Sequence, residues 1–159
     1  MDSAAASEAL RNGTSPELRH RRAVAALSLV SATSMGVISL YQTGLVKHLP
    51  EPPLGLFDAD RVDAAADAYP LGVPDATLGL VSYGVTLALA AAGGASQPRW
   101  LRIALAGKTA LDGAAAVKLT LDQRTKHRAY CSWCLLASAA TLATVPFVAV
   151  ELARGFRGT

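Results

Sequence analysis

The chain has 159 residues and a net charge of +3, with 52% hydrophobic but only 17% charged residues. The charged share is below the roughly 25% of soluble domains, and the apolar residues lie in long runs, which indicates a membrane protein. Low aromatic content and the absence of a basic stripe argue against a nucleic-acid partner. The arginines instead flank the apolar runs, where they would meet lipid headgroups.

Four apolar stretches are long enough to cross a bilayer as helices. A polar tail, residues 1–22, precedes them, and we expect its first 16 residues to be without regular structure. The predicted spans cover residues 23–46, 76–98, 100–121 and 129–150. Lys108 and Asp112 fall within the third span, four residues apart, so they can pair with each other. The sequence therefore predicts an all-α membrane bundle of four helices over residues 23–153, followed by a short tail, 154–159.

Charges at the ends of the spans predict the orientation. Arginines precede the first span, join the second to the third, and follow the fourth, which favours cytoplasmic termini under the positive-inside rule. The connection formed by residues 47–75 carries six acids and is expected on the outer face: Glu51, Asp58, Asp60, Asp63, Asp67 and Asp75. Four basic residues near position 124 argue the other way: Lys118, Arg124, Lys126 and Arg128. The helical spacing of Val62, Ala65, Ala66 and Tyr69 predicts a short amphipathic helix in this connection, lying over the bundle.

The two cysteines of the chain, Cys131 and Cys134, stand three residues apart at the start of the last span. A zinc site would need two more ligands, and no metal is expected. A structural disulfide would close a loop too short to stabilise much. Two buried cysteines acting as small hydrophobes are a further alternative. The spacing fits best a redox pair that cycles between dithiol and disulfide.

The surroundings of the pair favour the redox interpretation. Cys131 is expected at a helix N-terminus, where the dipole stabilises a thiolate, and a basic flank would add to that: Arg124, Lys126, His127 and Arg128. Cys134 lies one turn deeper on the same face. We therefore expect Cys131 to meet water-soluble thiol partners and Cys134 to meet a lipid-soluble oxidant. A membrane quinone is the natural acceptor at that depth.

Two motifs resemble the vitamin K epoxide reductase family, whose members are four-helix membrane enzymes that couple thiol oxidation to quinone reduction. One is Cys131-Ser-Trp-Cys134 at the start of the last helix. The other is LGVPDATLGLVSYG, residues 71–84, which resembles the family's entry to the second helix.

The resemblance implies that Cys134 reacts with the quinone, either ubiquinone or menaquinone. It implies that Cys131 exchanges with an external thiol or a thioredoxin-like protein. Asp75 matches the position whose side chain hydrogen-bonds the quinone oxygen, although a plain N-cap role is an equal alternative. Ser138 stands where the family often has a tyrosine, and it is expected to be either a weaker hydroxyl partner for the quinone or a plain packing residue. A bacterial inner membrane is the expected location.

The chain departs from the family pattern in the long connection. The family has two further cysteines there that relay electrons, whereas this chain has none, and Ala59 occupies the second position. Electrons must then come directly from an external thiol. The alternative is a non-catalytic helical membrane module that keeps the fold without quinone turnover. A third option is another four-helix electron-shuttle family.

Overall fold

The computed structural model describes residues 3–92 and 98–157, and within them it contains helices but no strand. Six α-helices follow one another along the chain: α1 Ser3–Asn12, α2 Pro16–Gln42, α3 Ala59–Asp63, α4 Asp75–Ala91, α5 Arg99–Asp122 and α6 Ser132–Arg157. Two 3-10 turns lie between α3 and α4, and one π turn lies between α5 and α6: Ala66–Ala68, Pro70–Gly72 and Gln123–His127. The all-α prediction is confirmed for this part of the chain.

The polar tail differs from the expectation, because most of it is helical. Helix α1 docks on the start of α2, where Arg22 donates hydrogen bonds to the carbonyl oxygens of Leu10 and Arg11. These carbonyls belong to the last turn of α1, where carbonyl groups have no N–H donor within their own helix. Met1 and Asp2 lie outside the described residues, as do residues 158–159 of the expected C-terminal tail.

Helix α2 begins at Pro16, seven residues before the predicted span, and its start has a clear local cause. Ser15 is the N-cap, and its hydroxyl accepts a hydrogen bond from the backbone N–H of Leu18 at 3.3 Å. Proline at the first helical position suits the helix, because its missing N–H would have no partner there. The predicted span therefore covers all but the first seven residues of a longer helix, and this helix ends at Gln42, four residues before the predicted end of the span.

Helix α2 lies at the centre of the packing, against α4 and α6, while α5 packs mainly on α6. Its buried face repeats every three or four residues and is rich in serine: Leu18, Arg21, Val24, Ser28, Ser31, Ser34 and Ile38. Large apolar side chains such as Leu29 point outward instead. Small polar residues inside and leucines outside suit a helix that packs closely with neighbours in lipid.

The four long helices differ in how well their length and composition suit a membrane span. Helices α2 and α6 are long and apolar enough to cross a membrane. Helix α4 is apolar but has 17 residues, and residues 93–97, the end of its predicted span, lie outside the described part of the chain. Helix α5 carries Lys108 and Asp112, which form the expected ion pair at 2.5 Å. Membrane insertion therefore stays a prediction for all four long helices, and α2 and α6 are the two whose length and composition suit it best.

The long connection, defined here as residues 43–74, folds over one end of the helices. Helix α3 lies in it but starts earlier and is shorter than the predicted amphipathic helix. Val62 is buried, Ala65 and Tyr69 are half-buried, and Ala66 is exposed. The regular helix ends at Asp63, so the later residues cannot keep one helical face. The long connection nevertheless provides the covering layer that the spacing predicted.

Candidate functional site at the start of α6

The long connection is hydrogen-bonded to the residue that precedes the cysteine pair. Phe57 and Tyr130 form an isolated parallel bridge. The backbone N–H of Asp58 donates to the carbonyl oxygen of Tyr130 at 2.9 Å, and the N–H of Tyr130 donates to the carbonyl oxygen of Leu56 at 3.0 Å. A short piece of extended backbone therefore fixes the connection beside the N-terminus of α6.

Glu51 strengthens this attachment by joining two helix N-termini. One carboxylate oxygen accepts from the backbone N–H of Ser132, the first residue of α6, at 2.9 Å. The other accepts from the backbone N–H of Ala59, the first residue of α3, at 2.5 Å. The first N–H groups of a helix have no partner within it, and a carboxylate is favoured there by the helix dipole. Trp133 adds a hydrogen bond to the carbonyl oxygen of Pro50 at 2.8 Å.

Cys131 is fully buried under this layer, which corrects the expectation that it meets water-soluble partners directly. Its exposed fraction is 0%. Leu49, Ala59 and Val62 of the long connection belong to the same apolar cluster. The backbone N–H of Cys131 donates to the buried side-chain oxygen of Gln123 at 2.9 Å. The sequence predicted the position of Cys131 at the N-terminus of α6 correctly, but it could not show that the connection lies on top.

Cys134 is half-buried and close to both Cys131 and Asp63. Both cysteines are present as thiols. The Cys131 sulfur accepts a hydrogen bond from the backbone N–H of Cys134 at 3.1 Å. The thiol of Cys134 donates to Oδ1 of Asp63 at 3.4 Å. The charged side chain that contacts the sulfur of Cys134 is therefore a carboxylate rather than a basic group.

Asp63 is the last residue of α3 and is only 2% exposed. Burial raises the pKa of this carboxyl to about 6, because a charge is poorly solvated there, while hydrogen bonds from the two thiols oppose the shift. Its second oxygen, Oδ2, is buried without a hydrogen-bond partner. A buried titratable group with an unsatisfied atom in a cavity is a candidate for function rather than for stability.

The basic flank does not act on the thiols as the sequence predicted. Arg124, Lys126 and Arg128 are exposed. Lys126 pairs with Asp122 at 2.9 Å, and His127 pairs with Asp67 at 3.3 Å. The π turn that follows α5 directs Lys126 and His127 toward Asp122 and Asp67 rather than toward the thiols.

A cavity of about 300 Å³ opens beside Cys134 between the long helices and the long connection. Its walls include Asp63 of the long connection together with three residues singled out in the sequence: Cys134, Asp75 and Ser138. Cys131 lies behind Cys134 and does not line it. The volume lies at the lower end of small-molecule pockets, and it suits a single ring system better than a long chain.

Asp75 is the first residue of α4, whose N-cap is Pro74, so it does not act as the N-cap itself. Its Oδ1 accepts from the side-chain amide of Gln42 at 2.8 Å. The same amide nitrogen also donates to the carbonyl oxygen of Asp63 at 3.2 Å. Gln42 thus links the ends of α2, α3 and α4 around the rim of the cavity.

Ser138 lies one turn after Cys134 and is 9% exposed. A second hydroxyl reaches the cavity from the opposite side, since Tyr83 of α4 also lines it. The Tyr83 oxygen accepts a hydrogen bond from Thr141 at 2.9 Å. An aromatic hydroxyl is therefore available in the cavity even though the position after Cys134 holds a serine.

Three potential metal-ligand atoms, from Asp63, Cys131 and Cys134, lie within 4.8 Å of one another. A structural zinc site uses four protein ligands, so this group would need one more. The expectation that the protein uses no metal stays a prediction.

Sequence reasoning missed four residues that shape the site: Glu51, Asp63, Tyr83 and Gln123. Glu51 and Asp63 belong to a connection with many acids, and spacing alone does not show which of them point inward. Tyr83 lies within the quoted motif of α4, eight residues after Asp75, so its helical spacing could have placed it near the same face. Gln123 lies just beyond the third predicted span, and no pattern in the sequence marks it.

Comparison with known proteins agrees with the resemblance seen in the two motifs. The model of the vitamin K epoxide reductase family matches residues 22–149. The matched region includes α4, α5, the cysteine pair and most of α2 and α6. No curated protein and no solved structure gives a significant match.

Proposed function

The chain belongs to the vitamin K epoxide reductase family, and on this premise we propose that it oxidises thiols and passes the electrons to a membrane quinone. Family membership and the two apolar helices make it a membrane oxidoreductase of a quinone-associated family. The quinone reaction, the roles of the two cysteines and the partner are our proposal.

The observation that carries the proposal is the placement of Cys134 on the wall of the cavity with Cys131 directly behind it. The two residues are joined by a 3.1 Å contact between the Cys131 sulfur and the Cys134 backbone N–H. A quinone ring in the cavity would meet only the deeper thiol, and the buried thiol would stand ready to close the disulfide. Apolar residues such as Ile38, Leu78 and Leu119 line the same space and suit an aromatic ring.

In the proposed reaction, a dithiol and a quinone give a disulfide and a quinol. Cys134 is the thiol that attacks the quinone, and Cys131 then resolves the product. Two electrons and two protons pass from the thiols to the quinone. Asp75 at the rim and the hydroxyls of Ser138 and Tyr83 are the polar groups that would hold the quinone oxygens; Asp75 would donate when protonated.

Reduction of the disulfide requires an external thiol, because the chain has no further cysteine to relay electrons. We propose a small thiol or a thioredoxin-like protein as the donor. Since Cys131 is covered, a protein thiol would reach it only after the long connection lifts. Two hydrogen bonds must then break. One joins the backbone N–H of Ser132 to the Glu51 carboxylate, and the other joins the side-chain N–H of Trp133 to the carbonyl oxygen of Pro50.

We also propose a bacterial inner membrane with both termini in the cytoplasm. The cysteine pair and the long connection would then lie at the outer face, where thiol partners are oxidised. The arginines that precede and follow the spans support this orientation. A cytoplasmic signal from a reporter fused after Gly55 would overturn it.

The test is quinone reduction by the purified protein in lipid nanodiscs with dithiothreitol as reductant. We expect quinol to form with menaquinone or ubiquinone, and we expect Cys134→Ser to abolish it. Ser132→Ala is the matched control, because it changes a residue of the same turn whose backbone N–H, not its hydroxyl, makes the contact with Glu51. Equal rates in the wild type and in Cys134→Ser would contradict the proposal.

A non-catalytic membrane module is the second candidate. Two observations favour it: the chain lacks the loop cysteines of the family, and Cys131 is fully buried. Under this alternative the pair would contribute to packing only. A wild-type protein that reduces neither quinone, while folded by circular dichroism, would support this alternative.

A further inference from the structure

Resting on the proposed function, we propose that Asp63 is a catalytic residue whose carboxylate accepts the proton of the Cys134 thiol when the pair is oxidised. No pattern in the sequence distinguishes this residue from the other acids of the long connection. This role would explain why an almost completely buried carboxyl group lies beside two thiols.

The geometry supports a direct proton transfer. The Cys134 thiol already donates to Oδ1 of Asp63 at 3.4 Å, with no other group between the two atoms. Oδ2 is buried and lacks a hydrogen-bond partner. The carboxyl therefore has one oxygen facing the proton donor and a second oxygen able to hold a proton. A general base must be within such reach of the proton that it takes.

The charged groups around Asp63 favour the protonated form of its carboxyl group. It forms no ion pair in the part of the chain that the structure describes. Two other acids, Asp75 and Glu51, disfavour its charge. The titratable groups that act on it or with it are Cys131 and Cys134 at the start of α6, Tyr41 of α2, Asp75 of α4 and Glu51 of the long connection. Three more line the same cavity: Asp67 of the long connection, Asp122 at the end of α5 and His127 of the π turn. Burial raises the pKa of Asp63 to about 6, so it is an ionised but reactive base at neutral pH.

In the proposed step, Asp63 first takes a proton from a thiol and later gives it to the quinone. The Cys134 proton moves to Asp63, and the thiolate forms a bond with the quinone ring. The Cys131 sulfur then attacks the Cys134 sulfur, so the disulfide bond forms and the bond to the ring breaks, leaving the electron pair on the quinone. The Cys131 proton and the proton held by Asp63 pass to the two quinone oxygens. The products are a disulfide, a quinol and an ionised Asp63.

A structural role and a catalytic role for Asp63 predict different results for the same variant. An ionised carboxylate next to a sulfur disfavours a thiolate by charge repulsion. Removing the charge should therefore make Cys134 more reactive toward a soluble alkylating reagent. If Asp63 is the base, quinone reduction should nevertheless become slower, because no carboxylate is left to take the thiol proton and pass it to a quinone oxygen, a transfer that alkylation does not need. A purely structural disturbance would not move the two rates in opposite directions.

The experiment compares Asp63→Asn with Asp60→Asn in the full-length protein in nanodiscs. Asp60 belongs to the same short helix, and its carboxylate accepts from the backbone N–H of Leu49 and from His48, away from the thiols. The first measurement is single-turnover reduction of menaquinone by the dithiol form from pH 5 to 9. The second is the iodoacetamide alkylation rate of Cys134 over the same range.

We expect Asp63→Asn to reduce menaquinone about a hundredfold more slowly, the size of a typical general-base effect. We expect the wild-type rate to fall below about pH 6, where Asp63 becomes protonated. This fall should be absent in the asparagine variant if Asp63 is its source. Alkylation of Cys134 should be faster in Asp63→Asn than in the wild type, and Asp60→Asn should resemble the wild type in both measurements.

A menaquinone rate unchanged in Asp63→Asn would overturn the proposal, and so would an alkylation rate that does not respond to the change. If Asp63→Asn does not fold, Asp63→Glu takes its place: a retained fall below pH 6 supports the base, and its loss contradicts it. If the wild type reduces no quinone, the proposed function fails. The alkylation measurement then still shows whether Asp63 acts on the Cys134 thiol.

Discussion

The two ends of the helices each bury a carboxylate, but they treat its charge differently. At one end, Glu151 of α6 accepts a hydrogen bond from the guanidinium of Arg21 of α2 at 2.9 Å. The side chains are 4% and 5% exposed, respectively. At the other end, Asp63 has two thiols beside it and no ion pair among the described residues. A buried charge with a cation holds two helices in register, whereas a buried charge without one remains available for chemistry.

A third carboxylate, Asp112, lies between these ends and follows the first pattern. It pairs with Lys108 and also accepts from the hydroxyls of Ser82 and Thr86. Every oxygen of this carboxylate has a partner, although the group lies in an apolar helix bundle. Among the described residues, Glu151 and Asp112 each have a cation beside them, whereas Asp63, beside the cysteine pair, has none.

The largest expected effect separates the two cysteines. Both Cys131→Ser and Cys134→Ser should lose turnover completely, because each removes one half of the disulfide. Only Cys131→Ser should still give a thiolate–quinone charge-transfer band, because Cys134 alone lines the cavity. The absorption spectrum with added menaquinone checks this. Identical spectra for the two variants would show that the division of roles is wrong.

At the paired end, Arg21→Ala should lower the free energy of unfolding by about 3–5 kcal/mol, because it leaves the Glu151 carboxylate buried without its cation. Unfolding by denaturant in detergent micelles measures this loss. Lys118→Ala is the matched control, since Lys118 belongs to an exposed pair with Asp122 and should cost at most about 1 kcal/mol. Equal losses in the two variants would show that burial of the first pair has no energetic consequence.

At the unpaired end, the charge of Asp63 should reduce stability rather than increase it. The carboxyl has an ordinary pKa of 3.8, which is raised to about 6 in the folded protein. The folded state therefore binds the additional proton between these values, and the free energy of unfolding should fall as the pH rises through this window. The shift corresponds to at most about 3 kcal/mol.

Asp63→Asn should remove this pH dependence and raise stability at pH 7, whereas Asp60→Asn should keep it. Unfolding curves in micelles at pH 4 and pH 7 provide the measurement. If the free energy of unfolding of the wild type rises between pH 4 and pH 6 and Asp63→Asn abolishes this rise, the pH dependence has the opposite sign and the assignment is refuted.

The smallest expected effect concerns the attachment of the long connection. Glu51→Ala should lower stability by about 1–3 kcal/mol, because the N–H groups of Ala59 and Ser132 lose their acceptor. It should also speed alkylation of Cys131, which the connection covers. Glu51→Gln, which keeps one acceptor oxygen, should lie between the alanine variant and the wild type. Unchanged Cys131 alkylation in Glu51→Ala would mean that the connection does not control access.

Residues with a strong local signal were predictable from the sequence. The apolar runs indicated the long helices, the four-residue spacing of Lys108 and Asp112 predicted their ion pair, and the cysteine motif predicted the start of α6. The start of α2 was placed seven residues too late, although Ser15-Pro16-Glu17 is a typical helix beginning. The family assignment, made on two motifs, is confirmed by the match to residues 22–149.

Features that depend on contacts between distant segments were not predictable. Cys131 looked accessible because the sequence cannot show that residues near Leu49 and Ala59 pack on it. The basic flank looked important for the thiols because the sequence cannot show that Lys126 and His127 turn toward Asp67 and Asp122. Asp63 was one acid among several, and only the fold of the long connection distinguishes it.

The most direct test of the central claim is a single-turnover count of thiols and quinol. The dithiol form of the protein, freed of reductant and kept without oxygen in nanodiscs, is mixed with excess menaquinone. Quinol is then measured by absorbance and free cysteines by alkylation and mass spectrometry. We predict one quinol for each Cys131–Cys134 disulfide formed, with no quinol from Cys134→Ser. Quinone that stays oxidised while both cysteines remain thiols would contradict the account.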